Sequence, residues 1–270
     1  MRKIITTGIG LLALAGATPS ATAADLRAPI VRAPVEVWSW TGVYIGGNVG
    51  YSWGRSKTDV QVNHNTTSAL LHTTNVEQDL RGAVGGGQIG VNWQSGFWVG
   101  GFEADVQATG QKGTAAFTCP AGVCNTVTAL PAASRLVTGT VDQKLSWFGT
   151  LRARLGVTVT PSVLAYATGG VAIGSITTDG RLSGFATGGA AVSDGFSTNN
   201  NSTKTGWTAG VGLEARLAGN WIGRVEYLYV DLGEVTTTGL LLLNTPPIRV
   251  SYSSRVTDSI ARVGLSYKFY

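Results

Sequence analysis

A chain of 270 residues with 38 Gly, eight Trp and only 13% charged side chains is neither disordered nor collagen-like: disordered segments are poor in Trp, and no G-X-Y period runs through it. The formal charge is +5, and residues 1–23 hold two of the cations and no carboxylate. The rest is left at +3, too mild a balance to argue for nucleic acid.

Arg2 and Lys3, an apolar run from Ile4 to about Ala17, and Ala21-Thr22-Ala23 read as a secretory signal cut after Ala23. The run is shorter than the ~20 residues a spanning helix needs. No later segment comes close, so any membrane crossing falls to strands. Residues 24–39 contain Pro29 and Pro34 at a spacing that keeps the chain extended, and they read as a periplasmic lead-in.

From Trp40 to the end at Tyr270, alternating segments recur. In the first, 40–53, Val43, Ile45, Val49, Tyr51 and Trp53 share one face while Tyr44, Gly46, Asn48, Gly50 and Ser52 share the other. Further strands are expected at 82–93, 97–108, 145–159, 163–175, 205–217, 221–231 and 258–270. Their apolar faces include Ile89, Val91, Phe102, Val106, Leu151, Leu155, Val211 and Leu213. Val163 to Ser175 can be read with either face outward. Leu228 and Val230 break the alternation of their strand, as a bulge would.

The intervening gaps alternate in length. Short turns at 94–96, 160–162 and 218–220 alternate with long loops at 54–81, 109–144, 176–204 and 232–257, far above the usual median of ~4 to 6 residues. That sorting predicts an all-β fold, a transmembrane up-and-down antiparallel β-barrel of eight strands, or of ten if 109–144 hides a hairpin. Short turns in the periplasm put Trp40, Trp93, Trp98 and Trp221 at the lower rim and Trp53, Trp147 and Trp207 at the upper, with Phe269 joining these aromatic girdles. Cys119 and Cys124, in CPAGVC, read as a small loop disulfide in an exported protein.

Opposite the apolar face lie Glu103, Asp105, Arg152, Arg154, Glu214, Arg216, Arg224, Glu226, Arg262 and Lys268. An outward Arg at the bilayer midplane would cost about 2–4 kcal/mol, so these ten are expected to line the lumen as compensated pairs. If Glu103 lies opposite Arg154, antiparallel register sets Asp105 opposite Arg152, and Glu214 can face Arg224 across a short turn. In an eight-stranded barrel, whose interior side chains can fill, such pairs would plug the lumen.

Other motifs carry less. GGGQIG at Gly85 to Gly90 fits G-x-G-x-x-G but lies within a strand with no following helix, so it is not a phosphate loop. His64, Ser68 and His72 sit in NHNTTSALLH with nothing to hold a base against a nucleophile, and they read as solvated loop residues. Arginines beside Glu103 and Asp105 favour a structural role over acid–base work. No catalytic, cofactor or metal residue is assigned.

WTGVYIGGNVGYSWG, RVEYLYVDLG at Arg224 to Gly233 and the ending RVGLSYKFY together resemble the small outer-membrane barrels of alphaproteobacteria, the porin-like surface antigens of rhizobia and brucellae. The ending also resembles the C-terminal insertion signal of such barrels, here Arg262, Gly264, Tyr267 and Phe269, with Tyr270 one residue beyond. The resemblance implies a barrel like the OmpA-class membrane domain, in the outer membrane of a Gram-negative bacterium. Its implied partners are outer-membrane lipid, lipopolysaccharide and the barrel insertion machinery, and it is expected to be a monomer or weak homo-oligomer. A structural, surface-exposed role in envelope integrity is expected first, a narrow porin-like channel second and a lipid-modifying enzyme third.

Overall fold

A computed structural model describes residues 38–64, 68–119, 137–185, 191–241 and 248–269. The signal segment, the lead-in before Trp38 and Cys124 lie outside these residues, as does the side chain of Cys119, so the expected disulfide does too.

Nine strands run in chain order: β1 (Gly42–His64), β2 (Leu70–Ser95), β3 (Trp98–Thr109), β4 (Lys112–Cys119), β5 (Val137–Thr160), β6 (Val163–Phe185), β7 (Ala191–Arg216), β8 (Trp221–Leu241) and β9 (Ile248–Lys268). Neighbours pair antiparallel, and β1 meets both β2 and β9, which closes the sheet into a ring without free edges. β3 and β4 occupy one position between β2 and β5, interrupted only at Gly110 and Gln111. The ring therefore has eight staves. Instead of forming an extra hairpin, the described residues of 109–144 prolong the third stave and β5.

The short turns fall as expected. Gly96 and Gly219 have φ of +60° and +55° there, a conformation that costs glycine nothing. The long loops do not: pairing continues to Val62↔His72, Val137↔Gly184, Phe185↔Ala191 and Leu241↔Ile248. Most of those segments are strand. The reason is an inverted pattern. Toward the long-hairpin end, polar Arg55, Lys57 and Asp59 face outward while Val60, Phe117, Val141 and Tyr252 face inward, so a search for outward apolar residues passes them over.

Two ambiguous strands resolve. In β6, Leu164, Tyr166 and Thr168 point inward while Val171 and Ile173 are exposed. Leu228 and Val230 form no bulge: register with β7 is unbroken from Arg216↔Ile222 to Trp207↔Asp231, and both side chains point inward. They join Val84, Phe148, Ile176 and Ile260 in an apolar layer inside the barrel.

Outside, the apolar belt expected of a barrel wall is present, with Ile45, Val49, Phe102, Leu155, Val211 and Val263 all exposed. Trp93, Trp98, Trp221 and Phe269 ring the short-turn end of this belt, and Trp53, Trp147 and Trp207 the other. Trp40 departs from the expected girdle. It is fully buried, turned into the lumen against Val99, Leu164, Tyr166 and Ile222. It precedes β1, so the strand alternation that directs the other tryptophans outward does not bind it.

Candidate functional site: a charged lumen

Inward positions of β3, β5, β7, β8 and β9 bring eight ionic side chains to one level. Four arginines, Arg152, Arg154, Arg224 and Arg262, meet four carboxylates, Glu103, Asp105, Glu214 and Glu226, all of them buried. Burial at this depth is tolerated because each charge has several partners.

Arg152 contacts Glu103 and lies 2.8 Å from Asp105 Oδ2 and 3.0 Å from Glu226 Oε1. Arg262 Nη2 lies 2.5 Å from Glu226 Oε2 and 3.2 Å from Asp105 Oδ2. Arg224 donates from Nη1 to Glu103 Oε1 at 2.8 Å and from Nε to Glu214 Oε1 at 2.9 Å. Arg154 Nη2 lies 2.9 Å from Glu214 Oε1. The pairs form one continuous network, and every arginine crosses to a carboxylate on another strand.

The register differs from the simplest expectation. Glu103 is opposite Arg152, Asp105 opposite Thr150, and Arg154 opposite Gly101. No tight turn joins β3 to β5 to fix their register, and the pairing lies two residues from the expected one, a shift that keeps every side chain on the same face. Glu214 does face Arg224, across the turn that holds Gly219.

Two expected members stand apart. Arg216 is exposed at the β7–β8 turn, donating to the Gly219 carbonyl at 3.2 Å, with its guanidinium 4.5 Å from the Trp38 ring. Lys268 Nζ donates to the Ser39 carbonyl at 2.5 Å and lies 4.1 Å from the same ring. Both sit too close to the strand ends to reach the ionic layer. They instead clasp Trp38, whose ring meets Trp40 edge to face at 6.0 Å.

Tyr44 and Tyr166 complete the layer, and charge patterning gave no sign of them. Tyr44 donates to Glu103 Oε2 at 2.6 Å, Tyr166 donates to Glu226 Oε1 at 2.9 Å, and the Arg154 guanidinium stacks 4.0 Å from the Tyr166 ring. Each tyrosine lies over its own cross-strand glycine, Tyr44 over Gly90 and Tyr166 over Gly212. An added Cβ at Gly212 would come within 2.6 Å of Tyr166 Cζ. The available signal was an inward Tyr facing an inward Gly, the pairing that lets a ring lie flat across the wall. Gln88 bridges Asn48 and Ser266 nearby, and Asp258, also unforeseen, is held by Ser52 and Gln111.

Of the other singled-out residues, Ser68 is exposed with φ of 54°, and the side chains of His64 and His72 are outside the described set. Gly85 to Gly90 lie within β2, paired to β1 and β3. Of the insertion-signal residues, Arg262 faces the lumen, and the Tyr267 ring contacts Trp221 at 5.3 Å and Phe269 at 5.2 Å on the outside.

Known proteins match the chain from end to end. Residues 9–269 fit the family described as outer membrane protein beta-barrel domain. The 31 kDa outer-membrane immunogenic protein of Brucella melitensis is 33% identical over 276 residues, covering 100% of both chains. The 25 kDa outer-membrane immunogenic protein of Brucella abortus is 27% identical, over 100% of this chain and 99% of that one. The 22 kDa outer membrane protein of Rhizobium leguminosarum is 30% identical, over 74% of this chain and 68% of that one. A ring of antiparallel strands with an apolar exterior, matched over its whole length to such proteins, belongs to the outer-membrane β-barrel family of alphaproteobacterial surface antigens, in the outer membrane of a Gram-negative cell.

Proposed function

We propose that this barrel is a structural, surface-displayed element of the envelope whose lumen is closed to solutes. The observation that carries this reading is the span of Arg152, which contacts Glu103 and Asp105 on β3 and also Glu226 on β8. A conducting path would have to pass four arginines and four carboxylates that neutralise one another, then an apolar layer at Phe148, Leu228 and Ile260. Apolar constrictions exclude water as well as ions.

The reading assigns no catalysis; the relatives are named as outer-membrane immunogenic proteins, which suits display at the surface. It takes the barrel as a monomer or weak homo-oligomer, inserted by machinery that reads Arg262, Gly264, Tyr267 and Phe269. Folded protein reconstituted into planar bilayers is expected to leave the baseline flat. Stable unit steps in conductance that scale with protein added would overturn the closed-lumen reading and favour a narrow channel.

A further inference from the structure

Just beyond the upper girdle, the outer wall carries a row of cations. Arg81 on β2 is the cross-strand partner of both Trp53 on β1 and Lys112 on β4, and Lys112 is the partner of Lys144 on β5. All three side chains face outward and are exposed. Lys144 lies three residues from Trp147 toward the long-hairpin end, so the row follows the girdle across three adjacent staves.

Directly opposed like charges destabilise a sheet, and the neighbouring hairpin avoids them. There Lys57 faces Glu77 and pairs with it at 3.3 Å, and Arg81 has Asp79 at 2.9 Å. Among the described residues, no ion pair reaches Lys112 or Lys144. The nearest carboxylate along β5, Asp142, accepts instead from Thr114 at 2.6 Å. Two directly opposed lysines that no protein carboxylate pairs, flanked by Arg81 and set where lipid tails give way to headgroups, fit an anion that the membrane supplies.

We propose that Arg81, Lys112 and Lys144 form a binding site for the phosphate groups of outer-leaflet glycolipid, so that lipopolysaccharide supplies the charge this wall lacks. The Trp53 and Trp147 rings beside the row would meet the first carbons of the acyl chains. The site lies on the outer wall and does not depend on whether the lumen conducts.

The test titrates the folded full chain in nonionic detergent with lipopolysaccharide, with the same glycolipid stripped of phosphate, and with inorganic phosphate. Each cation near an anionic surface contributes about fivefold in affinity, so Lys112→Gln/Lys144→Gln should bind intact lipopolysaccharide about 25-fold more weakly than the parent. The single variants should each lose about fivefold, which keeps the test usable should the double variant fail to fold. Lys57→Gln, whose partner is Glu77, should match the parent, and stripped glycolipid should bind the parent no better than it binds the double variant. Equal affinity of parent and lysine variants for intact lipopolysaccharide would overturn the site. Competition by inorganic phosphate at equal concentration would overturn the lipid assignment.

Discussion

Arg152 stands opposite Glu103 in the β3–β5 ladder, yet its Nη1 lies 3.0 Å from Glu226 Oε1 on β8, so one side chain ties separate parts of the ring. Replacing Arg152 with Met leaves Glu103, Asp105 and Glu226 short of positive charge in a buried layer. Removing one partner of a buried pair costs about 3–5 kcal/mol. Urea unfolding of the barrel in lipid vesicles should show that loss. An unchanged midpoint would mean the network adds nothing to stability.

The Tyr166–Gly212 pair is a steric relationship with its own test. Gly212→Val places a branched side chain where the Tyr166 ring lies, and overpacking of this kind costs about 1–3 kcal/mol. The folded fraction after refolding into detergent should drop. Combining it with Tyr166→Ala should restore part of the yield by removing the ring; no rescue would show that the glycine serves another purpose.

Trp40 fills the short-turn end of the lumen. Trp40→Ala should destabilise by about 3–5 kcal/mol, as for other buried tryptophans. Fluorescence quenching by acrylamide would report on the same site, because Trp38 should become more accessible once its neighbour is gone. Equal quenching in parent and variant would place Trp38 independently of Trp40.

Closure of the ring can be read on a gel. The seam between β1 and β9 runs from Tyr44↔Lys268 to His64↔Ile248. Unboiled protein should therefore migrate apart from boiled protein, because a sheet without edges resists detergent until heated. Removing Arg262 to Tyr270 strips β1 of its partners from Tyr44 to Gly50, and the difference should vanish. A truncated chain that still shifts would argue against closure through this seam.

The unevenness of what could be read from the residues has a physical basis. The belt was legible because lipid demands an unbroken outward apolar face, which leaves a period of two in segments such as Val43 to Trp53. The hairpins beyond it were not, since water on the outside and side chains on the inside invert the pattern around Val60 and Tyr252. Leu228 looked like a fault in the alternation only because both faces of the wall are apolar at that level. Trp40 was misjudged because it lies ahead of β1, where no alternation fixes its direction.

The amino-acid order by itself determined the exported β-barrel, the short turns at one end, the outward belt and the inward setting of nine of the ten charges proposed for the lumen, all but Arg216. Those features follow from local rules, strand alternation and the cost of exposing charge to lipid. Beyond Glu214 and Arg224, which a short turn sets opposite each other, only the tertiary structure decided which charges meet. The offset between β3 and β5, the reach of Arg152 to β8, the tyrosines laid over glycines and the withdrawal of Arg216 and Lys268 to Trp38 depend on the closed ring. Closure sets the register between strands far apart in the chain, and no short-range pattern encodes that register.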